Sequence, residues 1–229
     1  MRVVTEPACA TQPAPLRMLF LPAAYTAPAD FLQAGFAQAV RARGLPIDLS
    51  FADLTLQHLT DRNILRRIRH ELVLPARAAG SHTFWMCGIS LGGFIALAYA
   101  GRYPAEVDGL CLLAPYLGNH IVTGEIERAQ GLSGWQPAAL DDDDDERRVW
   151  QFIKSHDRHR VPLLLGFGAA DRFASSHRLM AAALPAENVR ELPGAHDWAT
   201  WSALWGGFLD SHFGTGRHRY AVDSAGCRG

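Results

Sequence analysis

The stretch FWMCGISLGGFIALAYA, Phe84 to Ala100, joins two apolar runs through Gly88-Ile89-Ser90-Leu91-Gly92. The first run, His82 to Ile89, is rich in aromatic and sulfur-bearing residues and reads as a buried strand. The second, Phe94 to Tyr103, mixes small and bulky apolar residues and reads as a buried helix. A chain that turns from strand to helix within two residues forces the middle residue into strained geometry. Side chains on its flanks would collide, so small residues are needed there. The stretch therefore predicts a serine raised above a sheet at a helix N-terminus, which is how a nucleophile is presented.

Outward from this joint, strand-like and helix-like segments alternate. Leu16–Pro22, Pro46–Phe51, Val107–Pro115, Val161–Gly168 and Asn188–Pro193 read as further strands. Between them, Phe31, Leu32, Gly35, Phe36, Ala39 and Val40 form one helical face that starts near Pro28 and ends near Gly44. Ile64, Leu65, Ile68 and Leu72 form another, closed by Pro75 and Gly80. Later helices are expected over about 174–184 and 198–212. The strands are continuously apolar, which implies a parallel sheet covered on both faces. The interval 117–160 is longer than one crossover needs and carries the run DDDDDERR, so an inserted helical cap is expected there. Residues 1–15 read as a flexible arm, 16–213 as the folded domain and 214–229 as a disordered tail.

A serine hydroxyl is a poor nucleophile until a base stands within hydrogen-bond reach and that base has an orienting partner. In a parallel sheet such groups gather beyond the C-terminal strand ends. Past the strand 161–168 comes AADRF with Asp171, and past 188–193 comes GAHDW with His196. The order Ser90, Asp171, His196 is the nucleophile–acid–base order of the α/β-hydrolase sheet. Over roughly residues 16–213 the chain thus resembles the α/β-hydrolase family, and its ending GAHDWATW is similar to that of small bacterial esterases of the esterase D-like kind. The resemblance implies an α/β fold with a mostly parallel sheet of about six strands, helices on both faces and a small cap. It gives Ser90 as nucleophile, His196 as base and Asp171 as its partner.

The sequence departs from the family at two points. The usual leading hairpin is not visible, so a minimal core is expected. In place of the usual His-Gly of the oxyanion loop stands LPAAYT. If Pro22-Ala23 replaces that pair, the backbone N–H of Ala24 is the first oxyanion donor and that of Leu91 the second, with Tyr25 competing for the first role. Asp197 adjoins His196 but sits where a helix N-cap belongs, so capping is its expected role. Trp198, Trp201, Trp205 and Phe208 share a helical spacing that suits core packing, with Trp198 or Trp201 able to reach a bound acyl group. The acidic run reads as the solvated start of a helix.

Composition excludes other classes. The 229 residues carry a net charge of -1 with 48% hydrophobic and 20% charged residues, a globular composition without the basic stripe that nucleic acid requires. The ten histidines and four cysteines form no His-x-x-x-His or Cys-x-x-Cys pair, so neither a metal nor a cofactor is expected. Cys87 and Cys111 read as small core residues. The N-terminal residues lack a long apolar segment and no run approaches membrane-spanning length, which leaves a cytoplasmic location as the expectation. The functional expectation is a cofactor-free serine hydrolase acting on a small-molecule ester. A thioesterase or acyltransferase on the same triad, or a binding protein that kept the fold, are the alternatives. Homo-oligomer formation is left open.

Overall fold

Strands that are apolar at every position need cover on both faces, and the chain provides it from two sets of helices. The computed structural model describes residues 1–55, 58, 61–79, 83–137, 140, 144–156 and 161–214. Seven strands form one sheet: β1 (Arg2–Glu6), β2 (Leu16–Leu21), β3 (Ile47–Asp53), β4 (Thr83–Ile89), β5 (Gly109–Leu113), β6 (Leu163–Gly168) and β7 (Val189–Leu192). Their order is β1-β3-β2-β4-β5-β6-β7. β1 runs antiparallel to β3 and every other neighbouring pair is parallel. Alternation along the strands divides the core. Leu19, Leu21, Phe84, Met86, Leu110 and Leu112 face one side. Met18, Phe20, Trp85, Cys87, Ile89, Cys111 and Leu113 face the other.

The helices follow the same division. The first core is closed by α3 (Ile64–Ile68), α4 (Leu74–Ala78), α5 (Leu91–Arg102), α6 (His120–Arg128), α7 (Asp145–Ser155) and α8 (Ala174–Ala181). The second is closed by α1 (Pro28–Gln33), α2 (Phe36–Ala42) and α9 (Trp198–Phe208). Among the described residues no helix is long and apolar enough to cross a membrane, and Cys87 and Cys111 are free thiols. Cys87 and Cys111 are register partners across β4 and β5; burial pushes the Cys87 thiol up, so both serve as small core residues.

Four expectations need correction. Residues 1–15 do not form a loose arm: Val3 and Thr5 pair with Ala52 and Ser50 in β1, and this edge strand makes the sheet seven-stranded. The buried Asp48 carboxylate then holds the connection, accepting hydrogen bonds from the Ala8 amide (2.9 Å) and the Ala14 amide (3.0 Å). The first helix is two, because Gly35 turns into the left-handed region (φ 81°) between α1 and α2. Pro75 does not end its helix. A π turn over Arg69–Val73 joins α3 to α4 and shifts the hydrogen-bond register just where proline lacks a donor. The cap also shrinks, because α7 buries Val149, Trp150 and Ile153 in the main core and is the crossover helix between β5 and β6. The added piece is α6 with its flanking loops. Gly80, Ser81, His82, Asp141–Asp143 and the expected tail beyond Gly214 lie outside the described residues.

Removing the Asp48 carboxylate leaves the buried Ala14 amide without its acceptor and frees the more exposed Ala8 amide. Asp48→Ala is expected to lose about 2–4 kcal/mol of stability. Asp48→Asn, which keeps one acceptor oxygen, is expected to lose less. Urea unfolding of the two variants beside the wild type measures both.

Candidate active site

The turn after β4 is built by close backbone approach. Ser90 adopts φ 52° and ψ −115°, a strained conformation for a residue with a side chain. A Cβ at Gly88 would overlap the Gly92 carbonyl, and one at Gly92 would overlap the Leu21 carbonyl oxygen at the end of β2. One at Gly93 would lie 2.7 Å from the Pro115 side chain. Hydrogen bonds hold the strain in place: the Ser90 amide donates to Leu113 (3.1 Å), and the Ser90 carbonyl accepts from Tyr116 (2.8 Å), Gly93 (3.0 Å) and Phe94 (3.2 Å). The hydroxyl thus stands at the start of α5, at the C-terminal edge of the sheet.

Two neighbouring loops reach the same edge. After β6 and β7, Gly168 packs so closely on Gly194 that a Cβ would overlap the Gly194 carbonyl oxygen. The Ala169 amide donates to Leu192 (2.7 Å) and the Ala170 amide to Gly194 (2.8 Å). These contacts put Asp171 beside His196. The imidazole Nδ1–H donates to Asp171 Oδ2 (2.7 Å), and Nε2 accepts from Ser90 Oγ (3.0 Å). An ionised carboxylate can only accept, so it fixes this tautomer. Burial pushes the Asp171 carboxyl up, but hydrogen bonds from His196 and from the Phe173 amide outweigh it and hold the group below the usual value. The His196 ring is fixed edge-on between Phe173 (5.4 Å) and Trp201 (5.1 Å).

The other sequence-derived candidates divide. Among the described residues, neither the Ala24 nor the Leu91 amide donates a hydrogen bond, and the contact of Gly92 with Leu21 brings the loop after β2 against the start of α5. Tyr25 has φ 62° and its side chain is 87% exposed. Trp198 packs against Phe31, Phe36 and Trp201, one ring removed from His196. Asp197 caps α9 by accepting from the Thr200 amide (2.8 Å), which leaves it no part in orienting His196.

Three nearby residues carried no sequence signal. His177 is fully buried one turn into α8. Its Nε2–H donates to the Pro115 carbonyl (2.8 Å), and Nδ1 has no partner among the described residues. Burial pushes its pKa down to about 4. Phe173 bridges by ring contacts from His196 to Tyr116 (5.8 Å). Tyr116 meets Phe94 (5.8 Å) at the mouth of a cleft of about 560 Å³ that runs outward to the starts of α6 and α7. No group of three or more His, Cys, Asp or Glu side chains arranged to hold a metal ion occurs among the described residues.

A family model described as alpha/beta hydrolase fold matches residues 64–133, the span around the Ser90 turn. No curated protein matches the sequence. Solved structures share the fold at low identity. FphF, a fluorophosphonate-binding serine hydrolase of Staphylococcus aureus, superposes with a TM-score of 0.62 at 12% identity over 87% of this chain and 84% of its own. A Paleococcus ferrophilus monoacylglycerol lipase gives 0.60 at 15% identity, over 93% and 100% of the two chains. An S-formylglutathione hydrolase from Agrobacterium tumefaciens gives 0.59 at 14% identity, over 91% and 86%.

His177 makes stability depend on pH. Its ordinary value of 6.5 falls to about 4 in the fold, so below 6.5 the unfolded chain binds a proton that the folded chain refuses. Stability is expected to fall between pH 6.5 and 4 by up to about 3 kcal/mol on this account. Asp171, held below its usual value, adds a loss only at lower pH. Urea unfolding across this range should show a shallower slope for His177→Gln than for the wild type.

Proposed function

We propose that this chain, which has the α/β-hydrolase fold, is a serine hydrolase that cleaves carboxylic esters through an acyl-enzyme. The observation that carries the reading is the hydrogen-bonded chain from Ser90 through His196 to Asp171 at the sheet edge. In this reading Ser90 Oγ attacks the acyl carbonyl while its proton passes to His196 Nε2. The tetrahedral oxyanion is met by the Ala24 and Leu91 N–H groups and by the positive end of α5. Collapse breaks the bond to the alcohol, which leaves with the proton from His196. Water then attacks the acyl-serine, His196 takes its proton, and the acid departs as Ser90 recovers its hydroxyl. Asp171 holds the imidazole tautomer and stabilises its charged form throughout. No cofactor enters any step.

The activities by which these structural neighbours are named (serine hydrolase, lipase and S-formylglutathione hydrolase) fit a reaction of this class. Thioesters would pass through the same acyl-enzyme, so a substrate panel should include them.

Ser90→Ala is expected to remain folded and to lose ester hydrolysis by about four orders of magnitude or more. A fluorophosphonate probe should label the wild type and not the variant. A folded variant that keeps half its activity would remove Ser90 from the nucleophile role. The acid is tested by a pair. Asp171→Asn offers a donor where His196 needs an acceptor and should lower turnover by about 10⁴-fold, whereas Asp197→Asn should keep most capping and most activity. Turnover of one activated ester by both variants decides between them.

A further inference from the structure

Resting on the esterase reading above, we propose that the cleft opening at Phe94 and Tyr116 receives an aromatic ring ending in a hydroxyl, and that Glu146 is the residue selecting it. The near part of the cleft is aromatic. Phe94 and Tyr116 line it, and both are pinned by backbone hydrogen bonds to the Ser90 carbonyl. Their rings meet at 5.8 Å, and Tyr116 continues through Phe173 to the His196 ring. A ring carried on the acyl group, two methylenes from the reacting carbonyl, would meet this wall edge-on or offset, the geometry aromatic pairs prefer. The volume of about 560 Å³ admits a ring of this kind with room to spare.

The far part is polar, and its groups differ in how much capacity they retain. Arg147 is tied to Glu125 and to Asp144 (2.8 Å). Asp144 also caps α7 by accepting from the Arg147 amide. Glu146 accepts one hydrogen bond on each oxygen, from the Tyr116 hydroxyl (2.9 Å) and from the Asn119 amide (3.1 Å). An ionised carboxylate offers about four acceptor sites, so about two stay open. Tyr116 has its pKa pushed up to about 12 by burial and then by Glu146, so it remains a donor and does not compete as an anion. A neutral hydroxyl on the substrate ring can therefore add a charge-assisted bond to Glu146. A substrate carboxylate would meet Asp144 and Glu146 as like charges.

The test compares methyl phenylpropanoate with its para-hydroxy and para-methoxy derivatives. The methoxy ester keeps the oxygen and lacks the donor. The wild type is expected to prefer the hydroxy ester over both others by about tenfold in kcat/KM, the size of one hydrogen bond to a charged group. Glu146→Gln should bring that ratio to within about threefold, since a neutral amide oxygen is the weaker acceptor. Tyr116→Phe frees a carboxylate oxygen and should keep or raise it. Equal rates on the three esters in the wild type, or a preference that survives in Glu146→Gln, overturns the proposal. Binding of the same esters to Ser90→Ala separates the two readings. A preference in binding without hydrolysis by the wild type removes the esterase reading and keeps the cleft. Hydrolysis of nitrophenyl acetate by the wild type with no preference in binding removes the cleft and keeps the esterase.

Discussion

The contact on which the site depends is between two pieces of backbone: Gly92, at the start of α5, and the Leu21 carbonyl at the end of β2. No side chain intervenes, so the distance between the Ser90 turn and the loop after β2 is set by main-chain packing alone. The loop Pro22-Ala23-Ala24 meets the turn through main-chain atoms, the Leu21 and Pro22 carbonyls lying against Gly92. The strain at Ser90 is the consequence. It persists because the amide is anchored on β5 and the carbonyl accepts three hydrogen bonds, which over-determine the conformation. The pair Gly168 and Gly194 repeats the device two strands away, drawing the Asp171 and His196 loops together.

These constraints also explain what could be read from the sequence. The Ser90 turn was legible because its chemistry is local: strand, small residue, serine, small residue and helix are consecutive. Asp171 and His196 were legible because strand ends in a parallel sheet share one edge. The short strand Arg2–Glu6 was not, because an edge strand with one face half exposed has no continuous apolar run. The two-part first helix was hidden because Gly35 preserves the apolar face while breaking the backbone. Pro75 was misleading because a π turn is a tertiary accommodation with no local signature. Phe173, Tyr116 and His177 escaped for a further reason. Each acts through a neighbour far along the chain, and neither spacing nor residue type announces which neighbour that is.

The two histidines near the edge show how environment assigns roles to one residue type. His196 lies between the Asp171 carboxylate and the Ser90 hydroxyl, so both ring nitrogens are engaged. His177 has only a carbonyl to bond, in a fully buried position against Phe167. Burial keeps it neutral, and it acts as a polar strut. It ties α8, which follows the acid loop, to Pro115, which packs on Gly93 at the start of α5.

Tyr116 extends this linkage from chemistry to selectivity. Its backbone is bonded to Ser90, its ring lies between Phe94 and Phe173, and its hydroxyl reaches Glu146 on α7. The far wall of the cleft is therefore not an independent lid resting on the sheet. α7 is packed into the core by Trp150, whose indole N–H donates to the Leu117 carbonyl two residues after Pro115 (2.7 Å). A shift of α7 would be felt at Leu117, and through the same short segment at Tyr116 and Ser90. The Glu146 carboxylate and Ser90 are thus held by one stretch of backbone, Pro115 to Leu117. Side chains along that stretch can reshape the cleft only within limits that leave the Ser90 turn intact.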